Sequence, residues 1–352
     1  MAYTTINKPS ATAFNTKLYT GNGSTQTISG VGFQPDMSWT KVRSETGSHR
    51  LVDAVRGNTK YIYPNGTDAE QTKTNNVTSF DSDGYTLGNG SINENSRTYV
   101  AWNWKANGTG SANTAGDLNS TVSVNTTAGF SIVTYSGTGN FGESVGHGLG
   151  VAPSMIIARR LNGVEDWGVY HKALGASKYI ILNTTGAEQS STSRWGGVAP
   201  TNSVFTVGNH ASVNVGSGTH VAYCFAEKQG YSKFGSYTGN GNADGTFVYT
   251  GFKPAFVLVK ASSAGGTYNH WGIMDNKRAN SFNVIDAQLC ANISSAENDP
   301  SNIGNQKIDF LSNGFKPRVN GSSHNSSGVT YIYMAFAEAP LVGTNNVPCT
   351  AR

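Results

Sequence analysis

Histidines that stand near acidic residues are the first candidates for chemistry in this 352-residue chain, because acid–base catalysis needs such groups within hydrogen-bonding reach. Three pairs occur at similar spacing: Asp166 with His171, His270 with Asp275, and His49 with Asp53. Each pair falls on or beside a predicted strand, and each is arranged differently, whereas a catalytic site needs one fixed geometry. The seven histidines show no H-E-x-x-H or paired metal-ligand spacing. The pattern favours ordinary surface or half-buried polar residues.

Each of two glycine-containing motifs could be either a ligand site or a turn. Residues 137–142 match G-x-G-x-x-G, but a dinucleotide site needs a helix to begin there, and residues 143–148 are too rich in glycine for a helix. Residues 81–84 resemble the opening of a calcium loop, yet the sixth and twelfth positions are Thr86 and Ile92, where a glycine and a glutamate are required. We therefore predict a glycine turn and a hairpin turn, with a surface cation as the alternative at 81–84.

The six tryptophans could form a sugar-stacking platform. Most of them lie in alternating strands, where packing into the core is the default for such side chains. Trp195 is the exception, because residues 193–197 read as a loop. Trp195 and the adjacent Arg194 are therefore the candidate ligand contacts of this sequence.

Composition narrows the classes of function. Only 13% of the residues are charged, the net charge is +4, and no window holds a run of basic residues, so nucleic-acid binding has little support. The three cysteines show no C-x-x-C spacing, and Cys224 and Cys290 read as small apolar fillers. The N-terminal residues lack the pattern of a signal peptide, and no apolar run approaches the ~18 residues of a membrane span. We expect no cofactor, no nucleic acid and no membrane partner.

One pattern occurs three times and organises the chain. Each copy has a tyrosine followed by a glycine turn, then a proline 16 to 18 residues after the tyrosine, then an apolar stretch that ends in a basic residue. The copies are Tyr19, Pro35 and 37–41; Tyr135, Pro153 and 155–159; and Tyr237, Pro254 and 256–260. Successive tyrosines lie 116 and 102 residues apart, which is the size of a small domain. Three copies of one domain are therefore predicted.

Each copy contains about six to eight short strands with turn residues roughly every ten positions, a pattern typical of antiparallel sandwiches. In the strand 98–104, a period of two places Val100, Trp102 and Trp104 on one face, which we assign to the core. The prediction is an all-β chain of three tandem antiparallel β-sandwich domains, jelly-roll-like and related by internal duplication. Its divisions are an N-terminal extended arm (1–14), repeat one (15–107), a Gly/Asn/Ser/Thr linker (108–128), repeat two (129–229), repeat three (230–339) and a C-terminal tail (340–352).

Many of these segments resemble a family of marine bacteriophage proteins. The segments that carry the resemblance are 1–6, 18–24, 31–36, 80–84, 100–105, 130–135, 233–241, 309–316 and 330–340. The resemblance covers nearly the whole chain. It implies a virion structural protein with lectin-like or laminin-G-like sandwich domains, and it supplies no catalytic residues.

We therefore expect a non-enzymatic virion component, made in the host cytoplasm and acting as a capsid decoration, head-fibre or tail-associated protein. Its partners would be capsid or tail subunits and further copies of itself in a trimer or ring. The alternative is a carbohydrate-binding receptor module (tail fibre or adhesin) for a host surface glycan, which predicts exposed aromatic residues, Trp195 above all. A glycan-cleaving enzyme would need two carboxylates about 5–10 Å apart, and we find no acidic residue in an equivalent place in all three repeats.

Overall fold

The computed structural model of the chain describes residues 10–278, 283–300, 306–321 and 323–340. These residues form twenty-seven strands and one short helix, and every ladder between strands is antiparallel. The prediction of an all-β chain built from antiparallel sheets is confirmed. No helix of the described residues is long and apolar enough to cross a membrane.

The first part of the chain (10–104) forms two sheets. The larger sheet has the order β1-β9-β3-β4-β5-β6, and the smaller one has the order β2-β8-β7. The elements are α1 (Ser10–Ala13), β1 (Phe14–Thr20), β2 (Gln26–Ser29), β3 (Met37–Val42), β4 (Arg50–Asp53), β5 (Lys60–Ile62), β6 (Gln71–Thr72), β7 (Val77–Asp81), β8 (Gly84–Leu87) and β9 (Thr98–Trp104).

The second part (111–225) also forms a large and a small sheet. Their orders are β10-β11-β12-β19-β14-β15-β16-β17 and β13-β18. The strands are β10 (Ser111–Asn113), β11 (Ser120–Asn125), β12 (Phe130–Ser136), β13 (Ser144–Gly146), β14 (Met155–Arg160), β15 (Gly168–His171), β16 (Lys178–Ile181), β17 (Gln189–Ser190), β18 (Val204–Thr206) and β19 (Thr219–Phe225).

The third part (232–340) repeats the arrangement with the orders β20-β27-β22-β23-β24 and β21-β26-β25. The strands are β20 (Ser232–Thr238), β21 (Val248–Tyr249), β22 (Phe252–Ala261), β23 (Gly272–Asp275), β24 (Leu289–Cys290), β25 (Ile308–Leu311), β26 (Gly314–Pro317) and β27 (Thr330–Pro340).

The large sheets of the three parts share one strand order, in which the opening strand pairs with the closing strand and the closing strand pairs with the proline-preceded strand. The register is shared as well: Met37, Met155 and Phe256 lie opposite Trp104, Phe225 and Phe336. Residues of the three parts can therefore be matched position by position through the strand register.

The three large sheets pack on one shared core. A single cluster of buried apolar side chains draws members from all three parts, including Val100, Trp102 and Trp104, whose predicted core position is confirmed. At its centre, Trp104 contacts Phe225 (ring centroids 6.3 Å apart) and Phe336 (5.8 Å), and Phe225 contacts Phe336 (6.1 Å). Three matched residues, one from each part, are therefore in mutual contact.

Separate apolar clusters fill the space between the large and the small sheet of each part. The closing strands are therefore buried on both faces: Tyr99 and Ala101 face one of these outer clusters, while their neighbours face the shared core. Burial on both faces explains why the strands read as nearly continuous apolar runs.

Matched backbone contacts join the parts in a cycle. The N–H of Glu70 donates to the carbonyl of Leu161 (2.8 Å), that of Glu188 to Ser262 (2.8 Å), and that of Glu297 to Arg43 (2.9 Å). These bonds run from the first part to the second, from the second to the third, and from the third back to the first. The three glutamates are therefore equivalent, so the sequence-based conclusion that no acidic residue recurs in all three parts is wrong. One glutamate lies at each junction, where its backbone N–H bonds to the neighbouring part, so its role is structural.

Buried polar bonds follow the same cycle through the shared core. Tyr223 donates to the Asp53 carboxylate (2.6 Å), and Trp102 Nε1 donates to the Asp275 carboxylate (2.9 Å). At the third junction, His171 Nε2 lies 3.2 Å from the carbonyl oxygen of Tyr333. Each junction therefore has a polar contact of this kind in addition to its backbone bond.

In each part, the apolar stretch after the repeated proline carries a buried cation one residue before the end of its strand. The three are Lys41, Arg159 and Lys260, none more than 1% exposed. Arg159 donates to the carbonyls of Gly66 (3.0 Å) and Asp68, and Lys260 Nζ donates to the carbonyl of Ala261 (2.7 Å). Burial lowers the pKa of Lys41 to about 8, of Arg159 to about 10 and of Lys260 to about 7.

Two predicted divisions of the chain differ from the structure. Residues 10–13 form helix α1 and Phe14 is buried, so this end of the predicted extended arm (1–14) is packed; residues 1–9 lie outside the described residues. The predicted linker (108–128) contains β10 and β11, because polar strands can extend a sheet edge through backbone bonds while burying only a few side chains such as Val122. In the predicted tail, Pro340 ends β27 and the remaining residues lie outside the described ones.

Candidate functional site

A cleft of about 470 Å³ lies between the first and third parts of the chain. At this junction the third part meets the first, and the two parts are not consecutive in the chain, so no peptide connection crosses it. The polar lining residues are Asn15, Thr16 and Asp83 from the first part and Asn276 and Lys277 from the third. The other lining residues are Phe14, Gly30, Val31, Gly32, Ala255 and Ala337.

The β7–β8 hairpin places Asp83 at the cleft. The turn at 81–84 is the predicted hairpin turn, and Gly84 is required there, because its φ is +148° and a Cβ would lie 1.8 Å from the carbonyl oxygen of Ile28. The Asp83 carboxylate accepts hydrogen bonds from the N–H groups of Gly32 (2.6 Å) and Gly30 (2.9 Å). These two bonds lower the pKa of Asp83, so the cleft has a fixed, ionised carboxylate.

The end of β23 supplies the opposite wall. The N–H of Asn276 donates to the carbonyl of Ala255 (3.0 Å), and the N–H of Lys277 donates to Asp275 (3.0 Å), whose carboxylate also binds Arg278 (2.6 Å). The buried Asp275–Arg278 pair therefore fixes the backbone from which Lys277 projects into solvent.

Two polar atoms in the wall of the cleft have no hydrogen-bond partner among the described residues. They are Oγ1 of Thr16, a side chain 5% exposed, and Oδ1 of Asn276. A buried polar atom without a partner costs about 1–3 kcal/mol. Both atoms are enclosed by the protein, so the charged groups that the cleft presents to solvent are the Asp83 carboxylate and the Lys277 ammonium.

The structure places the predicted ligand contacts Trp195 and Arg194 in the interior. Each side chain is 2% exposed; Trp195 packs against Tyr170 (centroids 6.0 Å apart), and the Arg194 guanidinium lies 3.9 Å from the centre of the Tyr179 ring. The expectation that Trp195 is exposed is therefore wrong. The left-handed backbone at 196–197 turns the chain inward, so a segment that reads as a loop buries its aromatic ring.

The histidine–acid pairs considered from sequence have other partners. Asp166 accepts a hydrogen bond from Asn183 (2.7 Å), while burial lowers the pKa of His171 to about 4. His49 accepts a bond from Trp39 Nε1 (2.9 Å). Asp53 and Asp275 bind arginines at 2.6 Å. Asp53, Asp275 and His171 also make the polar contacts between parts described above, whereas the Asp166 bond lies within the second part.

Residues 137–142 form the predicted glycine turn between β12 and β13. The N–H groups of Thr138 and Gly139 donate to Oδ1 of Asn214 (2.9 and 3.0 Å), so the turn is occupied by a side chain of the protein itself. Within the described parts of the chain, no group of three or more His, Cys, Asp or Glu side chains could hold a metal ion.

An exposed aromatic pair was missed by reasoning from the sequence. Phe247, just before β21, and Tyr249, at its end, are 45% and 58% exposed. The register matches them with Thr27 and Ser29 in the first part, which are exposed and polar. Comparison of the repeats at these positions would have found the pair, because aromatic residues replace small polar ones in the third part alone.

Comparison with known proteins gives a family and no activity. No curated protein and no solved structure matches the chain. A family model described as a domain of unknown function, DUF7483, matches residues 8–340. The chain therefore belongs to the DUF7483 family.

Proposed function

We propose that this chain is a non-enzymatic structural protein of a bacteriophage virion, exposed on the particle as a capsid decoration, head-fibre or tail-associated subunit. Its three parts are sandwich-like domains that arose by internal duplication. Its partners are capsid or tail subunits and further copies of itself.

The mutual contact of Trp104, Phe225 and Phe336 carries this proposal. It joins the three parts at one point, and burial of such aromatic side chains contributes about 1.5–3 kcal/mol each. The cycle of backbone bonds from Glu70, Glu188 and Glu297 prevents the parts from moving independently. A rigid body that presents related outer surfaces three times suits attachment to a symmetric particle.

Matched details outside the shared core support duplication. Each opening tyrosine stacks on the residue opposite it in the closing strand: Tyr19 on Tyr99 (5.0 Å), Tyr135 on His220 (5.2 Å) and Tyr237 on Tyr331 (5.1 Å). In each part a fully buried asparagine, five residues before the closing strand, binds the glycine turn that follows the tyrosine: Asn93, Asn214 and Asn325. Independent origins would not reproduce both features in register.

The test uses particles of a phage that encodes this chain. Particles purified by density gradient should contain the protein in a fixed ratio to the major capsid protein, and labelled antibodies should mark one location on intact particles. A host cytoplasmic protein serves as the contamination control. The proposal fails if the protein stays in the soluble fraction together with that control.

Carbohydrate binding is the second candidate, and the aromatic pair Phe247–Tyr249 favours it, because exposed aromatic rings can stack on sugar rings. The double variant Phe247→Thr/Tyr249→Ser, which introduces the matched residues of the first part, should lose glycan-array signal. Phe141→Ser removes another exposed ring, 54% exposed in the second part, and should keep the signal. Equal signals from both variants would exclude the aromatic pair as a binding surface.

A further inference from the structure

A matched ring nitrogen bonds to a backbone carbonyl across each junction between parts of the chain. The residues with these nitrogens are His49, Trp167 and Trp271, which directly precede β4, β15 and β23. Trp167 Nε1 donates to the carbonyl of Tyr63 in the first part (2.8 Å). Trp271 Nε1 donates to the carbonyl of Ile181 in the second part (2.8 Å). At the junction of the third part with the first, His49 replaces tryptophan, so this junction has a ring that can be protonated.

The hydrogen bonds of His49 require its neutral form. Trp39 Nε1 donates to Nδ1 of His49 (2.9 Å), and an indole nitrogen can only donate. The proton of the neutral ring is therefore on Nε2, which donates to the carbonyl of Cys290 in the third part (3.0 Å). A second proton, on Nδ1, would face the N–H of Trp39, so protonation in place breaks a hydrogen bond in a fully buried site.

A second histidine, His171, joins the second part to the third. Nδ1 of His171 accepts a bond from the N–H of Ala173 (3.2 Å), so Nε2 has the proton and donates to the carbonyl of Tyr333 (3.2 Å). His171 is fully buried, as is His49. Each of these two histidines therefore binds a carbonyl of the third part, and each does so in the neutral form.

The surroundings of His49 oppose its protonation while the junction is closed. Burial lowers the pKa of His49 well below its ordinary value, and the nearby cations Lys41 and Arg50 lower it further. From the third part, backbone groups of Cys290 and Ile293 face the ring and favour the protonated form, but burial outweighs them.

The surroundings of His171 act in the same direction. Burial lowers its pKa to about 4, the adjacent cation Lys172 lowers it further, and the bond to Tyr333 opposes this shift. Lys172 is itself paired with Glu227 (2.5 Å). Both histidines therefore stay neutral in the closed protein at pH values where an exposed histidine is protonated.

The junction of the first and second parts depends on groups of another kind. Trp167 bonds to Tyr63 there, and a second bond runs from Tyr223 to the Asp53 carboxylate. The ordinary pKa values of tyrosine and aspartate, about 10 and about 4, lie outside the range from pH 5 to pH 7.5. Burial raises the pKa of the Asp36 carboxyl at this junction, so a fall in pH favours the closed form there.

We infer that these two histidines form an acid-sensitive release for the third part: protonation of His49 and His171 opens both of its junctions, while the first and second parts stay joined. Opening exposes each ring to water, where Nδ1 can bind a proton without facing an N–H group. Opening also uncovers the apolar side chains that the third part contributes to the shared core, such as Phe256 and Phe336. A fall in pH therefore favours a form in which an apolar surface of the third part is accessible.

The size of the effect follows from proton binding. An exposed histidine has a pKa of about 6.5, and the closed form does not bind this proton, so the open form is favoured as the pH falls below that value. The stability that each histidine gives the closed form is fully present above the exposed pKa and is lost until the folded-state pKa is reached, about 4 for His171. Between pH 7.5 and pH 5, the ratio of open to closed molecules should rise about thirtyfold for each histidine exposed.

The experiment measures amide hydrogen exchange of the full chain by NMR at pH 7.5 and pH 5, after correction for the intrinsic exchange rate. The reporters are amides that bond across one junction each: Glu297 (third part to first), Glu188 (second to third) and Glu70 (first to second). Exchange at Glu297 and Glu188 should be about thirtyfold faster at pH 5, and exchange at Glu70 should change little.

The variants His49→Gln and His171→Gln keep a donor and an acceptor but do not titrate. Each should remove the thirtyfold rise at its own junction. His147→Gln is the matched control, because His147 is buried with the same pattern of bonds, to Leu149 and Thr201 within the second part, and it should follow the wild type. Lys41 and Lys260 also titrate near this range, but they do so in the wild type and the variants alike.

Three results would overturn the inference. They are exchange at Glu297 and Glu188 that does not depend on pH, an equal rise at Glu70, and a rise that persists in both glutamine variants. If a glutamine variant does not fold, comparison of the three junctions within the wild-type protein still decides, because only the two junctions of the third part should respond to acid.

Discussion

Replacement of Lys260 by methionine should change how the stability of the protein depends on pH. Lys260 is fully buried near the junction of the second and third parts, where Nζ donates to the carbonyls of Ala261 (2.7 Å) and Thr185 (3.3 Å). Burial lowers its pKa from 10.5 to about 7. Methionine has a similar length and carries no charge, so Lys260→Met removes the titrating group while it keeps most of the packing.

The sign follows from proton binding. Between the folded-state pKa near 7 and the unfolded-state value of 10.5, the unfolded chain holds a proton on Lys260 that the folded protein does not hold. Stability from this group is therefore fully present above the unfolded pKa and is lost as the pH falls through the folded pKa. From pH 6 to pH 9, Lys260 should raise the free energy of unfolding by about 2.5 kcal/mol.

The assay is urea denaturation, followed by tryptophan fluorescence at pH 6 and pH 9, for the wild-type protein and Lys260→Met. The wild type should gain about 2.5 kcal/mol more than the variant between the two pH values. Lys73→Met, at an exposed lysine, is the matched control and should follow the wild type. An identical difference between wild type and Lys260→Met at both pH values would refute the reasoning, since the lysine would then not titrate between them.

Substitutions at three further residues test the packing of the junctions and the buried residues, each by urea denaturation at pH 7. Phe225→Ala removes one ring of the central contact and should lower the free energy of unfolding by about 3–5 kcal/mol, whereas a loss below 1 kcal/mol would contradict the shared core. Asp53→Ala leaves the buried Arg56 guanidinium with Glu70 as its remaining carboxylate partner (3.0 Å) and should cost about 3 kcal/mol; Asp53→Asn, which keeps an acceptor for Tyr223, should cost less. Trp195→Ala should also cost about 3–5 kcal/mol, because its ring is buried; near-wild-type stability would restore Trp195 as a surface residue.

The sequence predicts local features of this fold well. Alternation in the strand 98–104 identifies the buried face of Val100, Trp102 and Trp104, and the hairpin at 81–84 follows from its polar turn. Both predictions succeed because they depend on neighbouring residues only: a strand exposes alternate side chains to opposite faces, and a tight turn needs glycine.

The arrangement of the three parts could not be predicted in the same way. An apolar strand face reads identically whether it packs on its own smaller sheet or on another part of the chain, so Trp104 gives no local sign that it contacts Phe225 and Phe336. The recurrent basic residue at Lys41, Arg159 and Lys260 is a weak sign of contacts between the parts, since a cation inside a buried strand must bind carbonyls elsewhere in the chain.

The candidate site depends on contacts between residues far apart in the chain. Thr16 and Asn276 are separated by 260 positions, and neither residue type signals binding in isolation. Trp195 illustrates the opposite error: residue type and a loop-like neighbourhood suggested exposure, while the backbone turn at 196–197 places the ring inside.

The stacking of Phe14 on Phe336, with centroids 5.0 Å apart, brings the beginning of the first part against the end of the third. The order of the parts along the chain is therefore only one of the orders that are compatible with the same contacts between the parts. A circularly permuted gene, opened at the exposed Thr109 and rejoined from the third part to the first by a short linker, would encode the same ring of contacts. During evolution, the ends of the first and third parts could have been placed at any of the three junctions. The junction that no peptide connection crosses would then be the one free to acquire a new role.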